Sequence, residues 1–452
     1  MKVHRYKIKG EITAFLSLIF VLLVSFILAM TQSAQLQTEK NLRRMAVDRA
    51  VYSVFGEYQK ELFEEYGVFA IDGTYETGQF EEEQILNRLI YYGSGEVEQT
   101  ITDIQYLTDN DGQAFREQVL AYMETQTAIG WMENLAGISS QWETQKVEGE
   151  QASQELEALW NGENTSLLPE QQEDIQAINA TGILSMVMPE GFVLSGKSIS
   201  EEIQVSKRAR RYGRGHFPER TQIDGLKEDL LYHQYLGEKF NSATDQKSTD
   251  RSLDYEMEYF IGGKSSDEGN LREVVKQILV ARMGMNYPYL WTDSGKQAEA
   301  DTLALALATA TTHPETKEVF KQLIMLLWAF AESTMDVRSL LSQQKIPMVK
   351  NAGNWIMPLS SVFTFWNSDA VYGSRDIGAG MDYEQYLQLL LYLKSTETVT
   401  MRTLDRVEEN LRREKELPFF TADACISKIK LKNKTQLWQG QTYSFPTYFG
   451  YL

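Results

Sequence analysis

Residues 12–31 read ITAFLSLIFVLLVSFILAMT, an apolar run without a single charge, and they follow a short basic segment at residues 1–9. At a rise of ~1.5 Å per residue, a helix of this length reaches ~30 Å, the thickness of the hydrocarbon core of a bilayer. The run therefore predicts a transmembrane helix over residues 10–32. The alternatives are a cleaved signal peptide, with a cleavage site at Ser33-Ala34, and a buried core helix.

The flanking charges predict how the chain sits in a membrane. The segment 1–9 holds four positive charges and no acid. Because basic flanks stay on the cytoplasmic side, we expect a cytoplasmic N-terminal tail, a single pass through the cell membrane and an extracytoplasmic body. The 452-residue chain has a net charge of −19, which becomes −23 without the basic tail. The negative charge of the body argues against binding to nucleic acid.

The sequence shows no pattern typical of catalysis or metal binding. Its four histidines are widely scattered, and none has the spacing of a metal site. Gly378 and Gly380 lack the Gly-Lys-Ser/Thr ending of a phosphate-binding loop, and no Gly-x-Ser-x-Gly turn is present. The single cysteine, Cys425, lies between apolar neighbours and is expected to be buried. We therefore expect that the protein is not an enzyme, binds no cofactor and forms no disulfide. An exported protein without disulfides is typical of a bacterial surface rather than of an oxidising lumen.

The apolar run continues into an amphipathic segment. Residues 33–66 contain no proline, Gly56 is their only glycine, and apolar residues recur every four positions from Leu42 to Leu62. This spacing predicts a helical extension with one face to bury. We expect a single rod that ends at Gly67, with its part near Leu62 packed on the protein's own sheet.

The remaining chain predicts an α+β fold with a small antiparallel sheet and a large helical insertion. Strand patterns occur at residues 68–71, 100–107 and 426–437, and we expect the last to pair with the earlier two. The row Lys428, Lys430, Lys432 and Lys434 alternates with apolar residues, which predicts a half-buried strand whose lysines form a solvated face or protect a sheet edge. The expected divisions are an α+β part at 67–139, a Gln/Glu-rich arm or linker with a basic loop at 140–220, a helical region at 221–415 and a C-terminal β segment at 416–452.

A basic loop at residues 206–220 stands out in this acidic body. Three interpretations remain open. The loop pairs with acidic surface nearby, it contacts an external anion such as a cell-wall polymer or lipid headgroups, or it is a site of proteolysis. The candidate residues for contact with an anionic partner are Lys207, Arg208, Arg210, Arg211 and Arg214.

The N-terminus carries a resemblance to a known family. The leader MKVHRYKIKG followed by EITAFLSL is similar to the opening of TadE/TadG-like pseudopilins of the tight-adherence (Flp) pilus. More closely, KGEITAFLSLIFVLLVSFILAMTQSAQ, LFEEYGVFAIDGTY and LDYEMEYFIGGKSSDEGNLREVV resemble an uncharacterised family of single-pass surface proteins of Gram-positive bacteria that is associated with such pilus gene clusters.

The resemblance implies a pilin-like α+β part at residues 67–139 and prepilin-type processing between Gly10 and Glu11. The pilin pattern also has a glutamate at the fifth mature position, where this chain has Phe15. The expected function is a structural or assembly component of a Tad/Flp-like pilus, of the minor-pseudopilin type. Its expected partners are the lipid bilayer, pilus or secretion-machinery subunits and other copies of its own N-terminal helix. The alternatives are a membrane-tethered module that binds cell wall or host polymer and an extracytoplasmic enzyme.

Overall fold

The computed structural model describes residues 11–124, 135–160, 182–218, 220, 225–364 and 380–451. Apart from single 3₁₀ turns and a π-helical turn at Ile90–Ser94, the elements in chain order are α1 (Glu11–Phe55), α2 (Lys60–Tyr66), β1 (Ile71–Asp72), α3 (Glu82–Leu89), β2 (Glu98–Tyr106), α4 (Asp109–Glu124), α5 (Leu135–Trp160), α6 (Ile183–Val187), α7 (Gly225–Lys239), α8 (Glu256–Gly262), α9 (Asp267–Thr292), α10 (Ser294–Ala310), α11 (Lys317–Leu341), α12 (Tyr383–Tyr392), α13 (Thr396–Glu414), β3 (Cys425–Gln436) and β4 (Thr442–Gly450). The predicted α+β class is confirmed, with a long N-terminal helix, a small sheet and a large helical insertion.

The N-terminal rod is shorter than predicted. α1 ends at Phe55, because the chain turns at Gly56 and the N–H of Gln59 donates to the carbonyl of Ala70 (2.8 Å) instead of continuing the helix. Glycine is a poor helix former and so is a natural place for this break. The second helix, α2, does end at Gly67 as expected, with that residue in the left-handed conformation (φ 69°).

The sheet is built around β3, which pairs antiparallel with β1, β2 and β4. The pairing of the C-terminal strand with the early strands agrees with the prediction, although the first strand is only Ile71–Asp72. β4 was not predicted. Because β3 is paired along both sides, the prediction of a lysine-protected edge is wrong. Lys428 instead reaches Glu117 of α4 (3.0 Å), and Lys430 reaches Asp103 of β2 (3.1 Å).

Two apolar cores lie on opposite faces of this sheet. On one face α1 and α3 pack against the strands, and the second half of α1 is buried there from Val47 onward. The predicted buried stripe began earlier, but Leu42 and Met45 are 60% and 65% exposed. The larger core belongs to the helical body, defined here as α4–α13, in which α11 is buried along most of its length, as its nearly continuous apolar sequence predicts.

The predicted arm or linker is in part a packed helix. α5 lies against α9 so closely that a methyl group added at Gly284 would be 1.9 Å from the carbonyl oxygen of Gln145, and one added at Gly149 would be 2.0 Å from that of Val280. Only glycine permits this approach of two backbones. The part of the arm at residues 161–181 and the predicted helical residues 125–134 lie outside the described residues.

The start of α9 is capped by Ser266, whose hydroxyl accepts the N–H of Gly269. The carboxylate of Asp267 turns outward from the helix and accepts the N–H groups of Asp254 (2.9 Å) and Tyr255 (3.0 Å). It therefore holds the preceding loop rather than the helix end.

We predict that Gly284→Ala destabilises the protein by about 1–3 kcal/mol, because the methyl group forces the α5 and α9 backbones apart. The measurement is the thermal unfolding midpoint of the full chain in detergent. The matched control is Gly237→Ala in α7, where an added methyl group meets only the side chain of Gln388 at 3.4 Å. The control should be neutral or stabilising; equal midpoints for the two variants would contradict the close crossing.

His233 of α7 is a buried histidine without a polar partner. It is 4% exposed, and neither ring nitrogen has a hydrogen-bond partner among the described residues. Burial lowers its pKa from 6.5 to about 4, because the charged imidazolium loses its hydration. Between these two pH values the unfolded chain binds a proton that the folded chain does not. This histidine therefore makes the free energy of unfolding decrease as the pH falls from 6.5 to 4.

We predict that His233→Phe becomes more stable relative to the wild type as the pH falls from 7 to 4, by up to about 3 kcal/mol. The phenyl ring occupies the apolar site without a group that titrates in this range. The measurement is the difference in the free energy of unfolding between the two proteins at a series of pH values. A difference independent of pH would show that His233 does not titrate in this manner.

Candidate functional site

The first half of α1 is an apolar helix that the described chain leaves uncovered. Every described side chain from Ile12 to Gln35 is exposed, including large ones such as Phe15 (62%) and Phe20 (67%). Among the described residues, this is the one helix long and apolar enough to cross a membrane. Its length and composition fit a membrane span or a signal anchor.

Two hydroxyl groups within this half are satisfied by the helix itself. The hydroxyl of Ser17 donates to the carbonyl of Ala14, and that of Thr31 to the carbonyl of Ile27, both at 2.8 Å. No charged residue occurs between Ile12 and Thr38. In hydrocarbon an unsatisfied polar group is costly, so this self-contained pattern suits lipid.

The predicted processing site lies at the start of this helix. Gly10 is outside the described residues, and Glu11 is the first residue of α1. The structure therefore does not test cleavage between them, which stays a prediction.

The basic loop runs as a partly exposed strap between the helical body and the sheet, and we call residues 206–214 the basic strap. At its start, the hydroxyl and N–H of Ser206 donate to the carboxylate of Asp405 in α13. At its end, Arg214 forms a two-way backbone bridge with Ile104 of β2, with N···O distances of 2.9 and 3.0 Å.

Arg208 is a largely buried cation of the basic strap. Its guanidinium pairs with Glu408 of α13 (2.5 Å) and with Asp423, which precedes β3 (2.6 Å). Burial raises the pKa of Glu408 in spite of Arg208. Burial acts in the same direction on Asp423, but the N–H of Arg211 and the guanidinium of Arg208 outweigh it and lower the pKa. The arginine thus holds two carboxylates from distant parts of the chain.

The other cations of the basic strap also have partners within the chain. Arg214 pairs with Glu82 of α3 (2.8 Å) and Arg210 lies 3.9 Å from Asp111 of α4. The remaining two contacts join Lys207 to Glu201 (2.7 Å) and the guanidinium of Arg211 to the ring of Phe80 (4.3 Å from its centroid). The structure thus agrees with pairing to nearby acidic surface. Contact of these five residues with an external anion stays untested.

A second charged group, which sequence analysis missed, is fully buried in the helical body. Lys350 lies 2.6 Å from both Glu332 and Asp336 of α11, and Asp336 also pairs with Arg282 of α9 (2.8 Å). The sequence signal that could have revealed this group is a pair of carboxylates one turn apart on an apolar helix, because buried charges require partners. The four charges balance, and the carboxylate of Glu332 also accepts N–H groups from the 356–357 segment. The group thus fastens that segment to the helices.

The described residues were also compared with the requirements of a metal site. No cluster of three or more His, Cys, Asp or Glu side chains among them could hold a metal ion. Cys425 is buried, as predicted, and burial raises the pKa of its thiol. A thiol of this kind is a poor nucleophile.

We predict that Arg208→Gln destabilises the protein by about 2–3 kcal/mol, because it removes the guanidinium from Asp423 and leaves the buried carboxylate of Glu408 with Arg412 as its remaining charge partner. The measurement is the thermal unfolding midpoint of the full chain. The matched control is Lys207→Gln, which removes an exposed ion pair and should change the stability by less than ~1 kcal/mol. A loss no larger than that of the control would mean that the strap does not join the two parts.

Comparison with known proteins places the chain in a family without giving it an activity. Residues 163–437 match a family described as a family of unknown function, DUF5702. The match includes the basic strap, most of the helical body and β3, and it leaves out α1. None of the curated proteins and none of the solved structures matches the chain. Because the match covers more than half of the sequence, this chain belongs to the DUF5702 family.

Proposed function

We propose that this protein is a membrane-anchored, surface-exposed component of a Tad/Flp-like pilus, of the minor-pseudopilin type, with a structural or assembly role. The observation that carries the proposal is the division of α1 into an uncovered apolar half and a half packed on the protein's own sheet. A helix of this form can pack its free half against lipid or against equivalent helices of other subunits.

The proposal includes an orientation and a set of partners. The basic segment 1–9 favours a cytoplasmic N-terminus, so the sheet and the helical body lie outside the cell. The partners of the apolar half of α1 are the bilayer, pilus or secretion-machinery subunits and other copies of the same helix. Neither a cofactor nor a catalytic step is part of the proposal.

The resemblance of the N-terminus to TadE/TadG-like pseudopilins supports a pilus role over other anchored surface proteins. A role as a binding module for cell-wall polymer was the alternative. The basic strap does not favour it, because its arginines already contact Glu408, Asp423, Glu82 and Phe80 within the chain.

We predict that Val21→Asp, a charge placed in the middle of the apolar half of α1, releases the protein from the membrane and abolishes its co-purification with the major pilin. A carboxylate near the middle of the bilayer costs about 2.5–3.5 kcal/mol. The measurements are extraction of membranes with alkaline carbonate and isolation of surface filaments from cells that produce the variant.

The matched control is Val349→Asp, which places the same charge on a valine that is 70% exposed in the body of the protein. This control should stay in the membrane and in the filaments. If alkaline carbonate extracts the wild-type protein from membranes, the proposed membrane anchor is wrong. Normal filaments in a strain without the gene, together with no association with pilin, would contradict the pilus role and leave the anchor standing.

A further inference from the structure

The folded body begins very close to the end of the apolar run. Along α1, Leu36 is the first described residue that is partly buried, and it lies five residues after Thr31. At ~1.5 Å per residue this separation is only ~8 Å. α1 is continuous through this region, so no flexible linker separates the apolar half from the body.

The turn between β3 and β4, which includes Trp438–Gly440, is the part of the body fixed at this level. The N–H of Trp438 donates to the carboxylate of Glu39 (2.8 Å), and the ring of Tyr443 lies 5.2 Å from the ammonium of Lys40. Arg44 also contacts the hydroxyl of Tyr443. These contacts hold the turn against one side of α1.

The turn lies at the depth of lipid headgroups if the apolar run spans the bilayer. The headgroup layer is about 5–8 Å thick on each side of the hydrocarbon core. Glu39 is ~12 Å beyond Thr31, but side chains on a helix lean toward its N-terminus, which brings the carboxylate and the attached turn closer to the membrane. A modest tilt of the helix shortens the distance further.

The side chain of Trp438 has the chemistry expected for this position. It is 54% exposed, although tryptophan is a large and largely apolar residue. Tryptophan is enriched at membrane interfaces, where its ring contacts the acyl boundary and its N–H remains hydrated. Lys40, which follows Glu39 on α1, adds a positive charge close to this turn, and such a charge is attracted to lipid phosphates.

We propose that the β3–β4 turn rests in the headgroup layer of the bilayer and that Trp438 is an interfacial anchor of the body. This inference rests on the proposed membrane span of α1 and adds a second, surface contact with the lipid. It assigns a lipid surface, rather than a second copy of the chain, to the exposed ring. The reason is continuity: α1 leads from the hydrocarbon directly to this turn.

The test uses the full chain in vesicles of phosphatidylcholine and phosphatidylglycerol. A cysteine introduced by Trp438→Cys is labelled with a small fluorophore, and nitroxide-bearing lipids act as quenchers. The native Cys425 is buried, so the wild type supplies the labelling background. We expect nitroxides on the headgroup to quench the label at position 438 several-fold more strongly than a label introduced by Val193→Cys. Val193 is 87% exposed and lies beside Tyr255 in the helical body.

A third variant, Phe20→Cys, separates the two proposals. If a label there is quenched by nitroxides on the acyl chains while the labels at positions 438 and 193 behave alike, the surface contact is refuted and the span stands. If the label at position 20 is not quenched, the span is refuted and the surface contact with it. The label at position 438 could also be protected from the nitroxides in a way that disappears when the protein is diluted in lipid. That result would assign the turn to a second copy of the chain and overturn the lipid contact.

Discussion

The packing of the second half of α1 on the sheet is the constraint on which the rest of the structure depends. Val47, Val51 and Val54 are almost fully buried against strands that come from both ends of the chain. Burial of each large apolar side chain contributes about 1.5–3 kcal/mol, so this face makes one rigid unit of the helix and the sheet. Because the other half of the same helix is exposed and apolar, whatever holds that half also positions the whole body.

The end of the chain completes this unit. Phe55, the last residue of α1, packs against Phe449 with ring centroids 4.4 Å apart, and its carbonyl accepts the hydroxyl of Tyr451. The ring of Tyr451 also stacks on Phe69, which follows α2. The C-terminal residues therefore stabilise the point where α1 ends at Gly56. They provide the physical reason that the rod stops there although the sequence stays helical in character to Tyr66.

Local patterns predicted the elements well and their environments poorly. The apolar run and the alternation in β3 each correspond to one periodicity. The run is helical as predicted, although α1 ends at Phe55, and β3 lies within one residue of its expected bounds. An alternating row of lysines looks the same on an edge strand as on a central one. The pairing of β3 with β4 on one side and with β2, which lies far away in sequence, on the other shows that Lys428 and Lys430 are on a central strand.

The basic strap shows the same limit for the candidate site. Its composition left open both pairing with acidic surface and contact with an external anion, because its partners Glu408 and Asp423 lie 200 and 215 residues after Arg208 in the chain. No pattern in a single sequence connects residues so far apart. The close crossing at Gly284 and the position of Trp438 likewise depend on how distant segments meet.

The position of the helical body in the chain explains why such a strap is needed. The body is inserted between β2 and β3, so the backbone joins it to the sheet only at these two points, close to Tyr106 and Cys425. The backbone bridge between Arg214 and Ile104 adds a third attachment. Three separate attachments restrain rotation about any axis through two of them. A body anchored by one long helix can thereby transmit the orientation of α1 to its outermost helices.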